Sequence, residues 1–181
     1  MSNDLAEVED FEKEQDFSSA VRKLQQLSAD SPTDNNIAFK LASNLLSLGR
    51  VDESLPLFES CTSADDVPPH WRLNFGHALK ASGSYAKAAN QYQALSRYRK
   101  HQISASAYWS LANLKKYHFS DEDKEDIERR LEEPEISQGY EGLYHLTLAT
   151  ALDQACAYDE AFRQMELGNN KIGEIRPFRG D

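Results

Sequence analysis

The chain has 181 residues, 30 Asp and Glu against 20 Lys and Arg, and a formal net charge of −10, a balance that opposes general attraction to nucleic acid or anionic membrane. No run approaches the roughly 18 apolar residues of a membrane span. The acidic start MSNDLAEVED is unlike a secretory signal, so a cytoplasmic protein is expected.

Taken along the chain, glycines at 49 and 83 stand 34 residues apart, each after one helical apolar pattern and before another. A glycine belongs just past a helix C-terminus. Hanging the chain on that period aligns Phe11, Leu45 and Leu79; Phe17, Val51 and Tyr85; and Leu27, Cys61 and Leu95. Ala20, Ser54 and Ala88 form a small column, Leu24, Phe58 and Tyr92 a large one, and Ala42 and Gly76 a second small one, which Val8 suits less well. Small residues let two helices cross closely, and large apolar ones fill the gaps three or four positions away. Each unit therefore reads as an antiparallel helix pair, with units at about 1–34, 35–68 and 69–102.

A fourth unit, 103–141, is degenerate: Tyr117 stands where glycine is wanted and Glu122 falls in the small column. Ala105, Tyr108, Trp109, Ala112 and Leu114 still make an apolar helical face, and Ser120 with Asp123 forms a capping box for a helix through about Leu131. Pro134 ends it, and Ile136 to Gly139 reads as a loop. A fifth unit, 142–172, restores the columns with Ala149, Leu152, Tyr158, Ala161 and Met165, and puts Cys156 at the turn position of the glycines. Residues 173–181 lack periodicity and are expected to form a flexible tail. Cys61 and Cys156 match no metal or redox spacing and are expected to be buried free thiols.

These columns, with Pro32 closing the first unit, resemble the tetratricopeptide repeat (TPR). The expected fold is all-α, a right-handed superhelical stack of antiparallel helix pairs, that is, a TPR-like α-solenoid. The first helix of each pair would line a concave groove. By spacing, Asn36, Phe39, Ser43, His70, Leu73, His77, Lys80 and Lys115 point into it as the partner-binding residues. Residues 69–102 carry six bases and no acid. With His77, Lys80 and Lys115 as its charged centre, the groove would suit a protein partner or an acidic peptide. The alternative is that these bases balance the acidic helices around Glu125 or across a homo-oligomer contact.

Catalytic patterns are missing. The histidines at 70, 77, 101, 118 and 145 form no metal-ligand spacing, and no glycine opens a phosphate-cradling loop. The chain is read as non-enzymatic, with no catalytic residue, cofactor or metal. The aromatic group Tyr108, Trp109, Tyr117 and Phe119 reads as core rather than as a base-stacking platform.

The stretch YWSLANLKKYHFSDED, 108–123, and its continuation LYHLTLATALDQACAYDEAFRQMELGNN, 143–170, resemble the N-terminal repeat region of bacterial TPR–sulfotransferase proteins, with Gly168-Asn169 closing the unit. The likeness covers about 35–172. It implies a non-catalytic repeat region of a PAPS-dependent sulfotransferase whose catalytic domain lies beyond this chain. That family's Gly-x-x-Arg-Ser-Gly-Thr loop has no counterpart here, so no catalytic residue carries over. A structural oligomerisation scaffold is the third expectation.

Overall fold

The computed structural model describes residues 2–175 apart from 65, 115 and 135, with side chains from Asp4 onward. Every regular element among them is an α-helix, ten in all. The chain divides into two compact units, Met1–Ala88 and Ala89–Asp181.

The first unit holds α1 (Ser2–Lys13), α2 (Phe17–Asp30), α3 (Asn35–Ser47), α4 (Val51–Cys61), α5 (Pro69–Ala81) and the first residues of α6 (Tyr85–Ser96). Local chemistry sets the helix starts. Asp16 accepts the Ser19 amide at 3.0 Å, and Asp34 accepts the amides of Asn36 and Ile37 at 2.8 and 3.2 Å. Pro69 occupies the first position of α5, where a missing N–H costs nothing.

The turns repeat one geometry. Gly49 and Gly83 have φ of +72° and +80°, and each is followed by an amide that reaches back to the helix: Arg50 to the Leu45 carbonyl at 2.9 Å, Ser84 to that of Leu79 at 2.8 Å. These are Schellman closures, which need a left-handed residue just past the helix. Gln15, at φ +59°, closes α1 in the same way through Asp16 and Phe11, at 2.9 Å. It stands 34 residues before Gly49, so the period includes a turn whose residue is not glycine.

Two adjoining clusters fill this unit. Val8, Ala20, Val21, Leu24, Leu27, Ile37, Leu41 and Leu45 join α1, α2 and α3. Phe39, Ala42, Phe58, Cys61, Trp71 and Ala78 join α3, α4 and α5. Ala20, Leu24, Ala42, Ser54, Phe58 and Cys61 are fully buried, so the small and large columns pack as their spacing requires. Burial pushes the Cys61 thiol up to about 11, which leaves it a neutral core residue.

The second unit contains the rest of α6, then α7 (His101–Ala112), α8 (Asp121–Leu131), α9 (Gln138–Gln154) and α10 (Tyr158–Ile175). Helix α9 is the hub, packing on α7, α8 and α10. Ser120 caps α8 by accepting the Asp123 amide at 3.1 Å while the Asp123 carboxylate accepts the Ser120 amide at 3.1 Å, and α8 ends at Leu131 as its sequence predicts. Three expectations change. Helix α9 begins at Gln138, so Gly139 is helical, because Ser137 accepts the amides of Tyr140 and Glu141 and opens the first turn. Helix α10 continues to Ile175, past the expected start of the tail at 173, because Ile172 and Ile175 pack onto the start of α9, against Gly142 and Gly139. Residues 176–181 lie outside the described residues.

The third correction concerns Cys156, which is exposed rather than buried. Its φ is +61°, and the Ala157 amide returns to the Leu152 carbonyl at 2.9 Å, the same closure that Gly49 and Gly83 make. Matching the glycines in register puts the residue in a surface turn, where its side chain points to solvent.

Candidate functional site

Four of the expected groove residues lie on α5 at 70, 73, 77 and 80, a spacing that keeps one helix face. His70 and His77 are exposed, and Leu73 and Lys80 half-buried. Desolvation lowers the His70 imidazole below its ordinary pKa; desolvation, then the neighbouring Lys80 ammonium, lowers that of His77. Both rings are therefore neutral at pH 7, and Lys80 carries the formal charge of this face.

Asn36 is exposed in the first turn of α3, and Ser43, half-buried one face further along, accepts a hydrogen bond from the Asn74 amide at 3.4 Å. Phe39 is a correction. It is 8% exposed, stacked on Trp71 at a centroid distance of 4.7 Å and edge-on to Phe58 at 5.9 Å, so packing consumes the side chain. Lys115 lies outside the described residues. The remaining set, Asn36, Ser43, His70, Leu73, His77 and Lys80, belongs to the first unit.

Not every base of 69–102 faces solvent for a partner. Arg97 reaches three acids of α8, at 3.4 Å to Glu122, 3.1 Å to Asp123 and 4.0 Å to Asp126. Arg72 donates to the Ala64 carbonyl at 2.9 Å. Charge balance within the fold accounts for Arg97, and leaves the α5 face with Lys80.

Two acids of α8, Asp123 and Asp126, are buried and belong to a polar network that sequence reading missed. Asp126 accepts the Tyr108 hydroxyl and the Arg130 Nε–H, each at 2.8 Å, and a further bond from Arg129. Burial alone would raise the Asp126 carboxyl, but the bonds from Arg130 and Tyr108 outweigh it and hold the group below its ordinary pKa. His101 bridges Tyr144, at 3.3 Å, and Glu133, at 3.2 Å. Tyr108 and Tyr144 are fully buried, and through them this constellation ties α7, α8 and α9 together. The degenerate columns at 117 and 122 were its sequence signal, since repeat packing is exchanged there for polar contacts.

A concave feature lies elsewhere in the second unit. Trp109 of α7, Gly139, Tyr140, Leu143 and Leu146 of α9, and Ile172 and Ile175 of α10 line a cleft of ≈ 410 Å³. Trp109, expected in the core, is half-buried at this cleft because its neighbour Tyr108 takes the inward position on α7. Tyr117 and Phe119 are also half-buried, in edge-to-face contact at 4.9 Å. Among the described residues, no group of three His, Cys, Asp or Glu side chains is placed to hold a metal, and no helix is long and apolar enough to cross a membrane.

The helix pairs, their left-handed closures and the buried small columns define a TPR-like helical repeat fold. The chain is similar in structure to MamA, at 16% identity over 94% of this chain and 97% of that one, with a TM-score of 0.70. It is also similar to a Podosopora anserina protein with nearly identical TPR-like repeats, assigned as a kinesin light chain, at 15% identity over 98% and 97% and a TM-score of 0.73. BtubC (BKLC) from P. vanneervenii aligns at 18% identity over 96% and 80%, with a TM-score of 0.63. At these identities the likeness speaks for the fold and not for a partner. No protein-family model matches the chain and no curated protein matches it, so the sulfotransferase resemblance rests on residues 108–123 and 143–170 alone.

Proposed function

We propose that the chain is a protein–protein interaction scaffold that takes an acidic peptide segment along the face shared by α3 and α5. The observation that carries this reading is the α5 row His70, Leu73, His77 and Lys80. It places an ammonium, two neutral imidazoles and one apolar side chain at the surface of a helix that has no acid of its own. Asn36 supplies a further exposed amide from α3. Such a row recognises an extended chain by charge at one end and by hydrogen bonds along its length.

The neutral histidines give the reading a pH signature. An anionic peptide favours the imidazolium form of His77, so binding raises the depressed pKa and takes up a proton. Affinity therefore increases as the pH falls from the pKa of His77 in the complex towards its lower pKa in the free chain. Titration of fluorescent acidic peptides at low salt tests the reading, with tightening from pH 7.5 to 6 and weakening on addition of salt as the expected result. Lys80→Glu abolishes binding, and His77→Gln flattens the pH dependence. Absence of binding at low salt, or binding indifferent to Lys80→Glu, refutes it.

The sulfotransferase reading makes a different demand: a strand followed by a Gly-x-x-Arg-Ser-Gly-Thr loop encoded beyond codon 181 of the gene. Reading that sequence decides it.

A further inference from the structure

Phe162 and Met165 of α10 are 60% and 48% exposed, in columns that are closed elsewhere in the chain. With Cys156 in register with Gly49 and Gly83, Met165 falls in the column of Leu24, Phe58 and Tyr92, all fully buried. Phe162 falls in that of Val21, Leu55 and Ala89, none of them exposed. In the first unit the helix that follows closes the large column. Leu24 of α2 shares a cluster with Ile37, Leu41 and Leu45 of α3, and Phe58 of α4 stacks on Phe75 of α5 at 6.2 Å.

On α10 the same positions meet solvent. A repeat stack ends stably in water behind a polar outer face. Tyr158, Phe162 and Met165, spaced as i, i+4 and i+7, make an exposed apolar stripe instead. The period itself therefore states the shape of the missing cover, which is one more helix.

Charge states its chemistry. Asp159 and Glu166, three residues before Phe162 and four after it, share its side of α10 and are exposed. Arg163 is the only base of residues 158–167, and it pairs with Glu160 at 3.6 Å. Among the described residues neither Asp159 nor Glu166 has an ion pair. A second copy of the chain would bring α10 as its matching stripe. Antiparallel pairing of two such helices about a twofold axis sets Asp159 and Glu166 of both copies along one side, where like charges repel.

We propose that Tyr158, Phe162 and Met165 form a docking surface for a basic amphipathic helix of a partner protein. Its apolar face covers the stripe, and its lysines or arginines lie beside Asp159 and Glu166. The partner helix takes on α10 the place that α3 takes on α2 and α5 on α4. This surface is distinct from the α5 face, which takes an acidic segment, and rests on none of its residues.

Met165 reports on the surface directly. It is one of two methionines, and tryptic cleavage after Arg163 and Lys171 isolates it for mass spectrometry. Dilute peroxide converts an exposed thioether to the sulfoxide, so the free chain is oxidised at Met165 at every protein concentration. The probe is a labelled synthetic helix of about fifteen residues, with leucines at i, i+3, i+4 and i+7 and lysines along one edge. Added to the full chain, it slows the oxidation of Met165 and gains anisotropy, and salt weakens both effects. The same peptide with glutamate for lysine does neither. Phe162→Gln weakens binding by about tenfold or more with the far-UV circular dichroism unchanged, and Phe162→Leu by less. Asp159→Asn combined with Glu166→Gln removes most of the salt dependence, whereas Lys80→Glu leaves binding as it is. Absence of binding at low salt, binding indifferent to Phe162→Gln, or equal binding of the glutamate peptide overturns the inference. So does a Met165 already protected in the free chain: protection independent of concentration assigns the face to the chain itself, and protection that grows with concentration assigns it to a second copy.

Discussion

Tyr108 donates its hydroxyl hydrogen to Asp126 over 2.8 Å, and both residues are buried. The same carboxylate oxygen takes the Nε–H of Arg130, itself 4% exposed. Removing Asp126 therefore strands a buried guanidinium. Asp126→Ala is expected to cost about 3–5 kcal/mol, the penalty for breaking a buried ion pair from one side. Tyr108→Phe removes one donor to a charged acceptor and costs about 1–3 kcal/mol. Urea denaturation measures both, and an Asp126→Ala loss below that of Tyr108→Phe contradicts the ranking.

The same carboxylate makes stability depend on pH. Its folded pKa is depressed, so the contribution is present in full above the unfolded value of about 3.9 and disappears as the pH falls through the lower folded value. Thermal melts of the full chain from pH 6 to pH 2 should show a loss of stability on the acid side that is smaller in Asp126→Asn. An equal loss in both chains assigns the acid sensitivity to other groups.

Left-handed turns at Gln15, Gly49, Gly83 and Cys156 offer a test free of packing effects. A Cβ on Gly83 would meet nothing within 4 Å, so Gly83→Ala costs only backbone strain, about 1–2 kcal/mol. Gln15→Gly and Cys156→Gly relieve that strain, less the entropy glycine restores to the unfolded chain, a net gain below about 1 kcal/mol. Chemical denaturation reads the opposite signs, and destabilisation by both glycine variants rejects this account.

Helices α9 and α10 touch through two glycines. A Cβ on Gly168 would stand 2.7 Å from Cγ of Leu146 and 3.0 Å from the Gly142 carbonyl oxygen. The leucine can move, but the backbone oxygen cannot without parting the helices. Gly168→Ala is expected to destabilise by about 1–3 kcal/mol as overpacking, and to widen the adjoining cleft, which Leu146 lines. Calorimetry checks the first effect and Trp109 emission the second. An unchanged melting temperature rules out the close crossing.

The repeat could be read along the chain because it is a local pattern. The helix start at Ser120, closures at Gly49 and Gly83, and the small columns at Ala20, Ala42 and Ala88 all follow from neighbours within one or two turns. Even Cys156, exposed where its periodicity predicts burial, takes the turn position that its register with the glycines predicts, since register depends on spacing rather than on side-chain chemistry.

The tertiary structure decided which members of each pattern remain accessible. Phe39 has the spacing of a groove residue, yet it is held by Trp71, whose ring lies 32 residues away in sequence and parallel to it within 8°. Tyr158 occupies a column position and remains 63% exposed. The acids of α8 look like a solvated charge run, but Asp126 is buried because Tyr108 and Arg130 reach it from α7 and from the next turn. The cleft at Trp109 required three helices to converge. Sequence period fixes which residues share a helix face, because that is a matter of 3.6 residues per turn. What each face meets depends on partners brought together only by folding, so burial, pKa and concavity became legible in the packed chain.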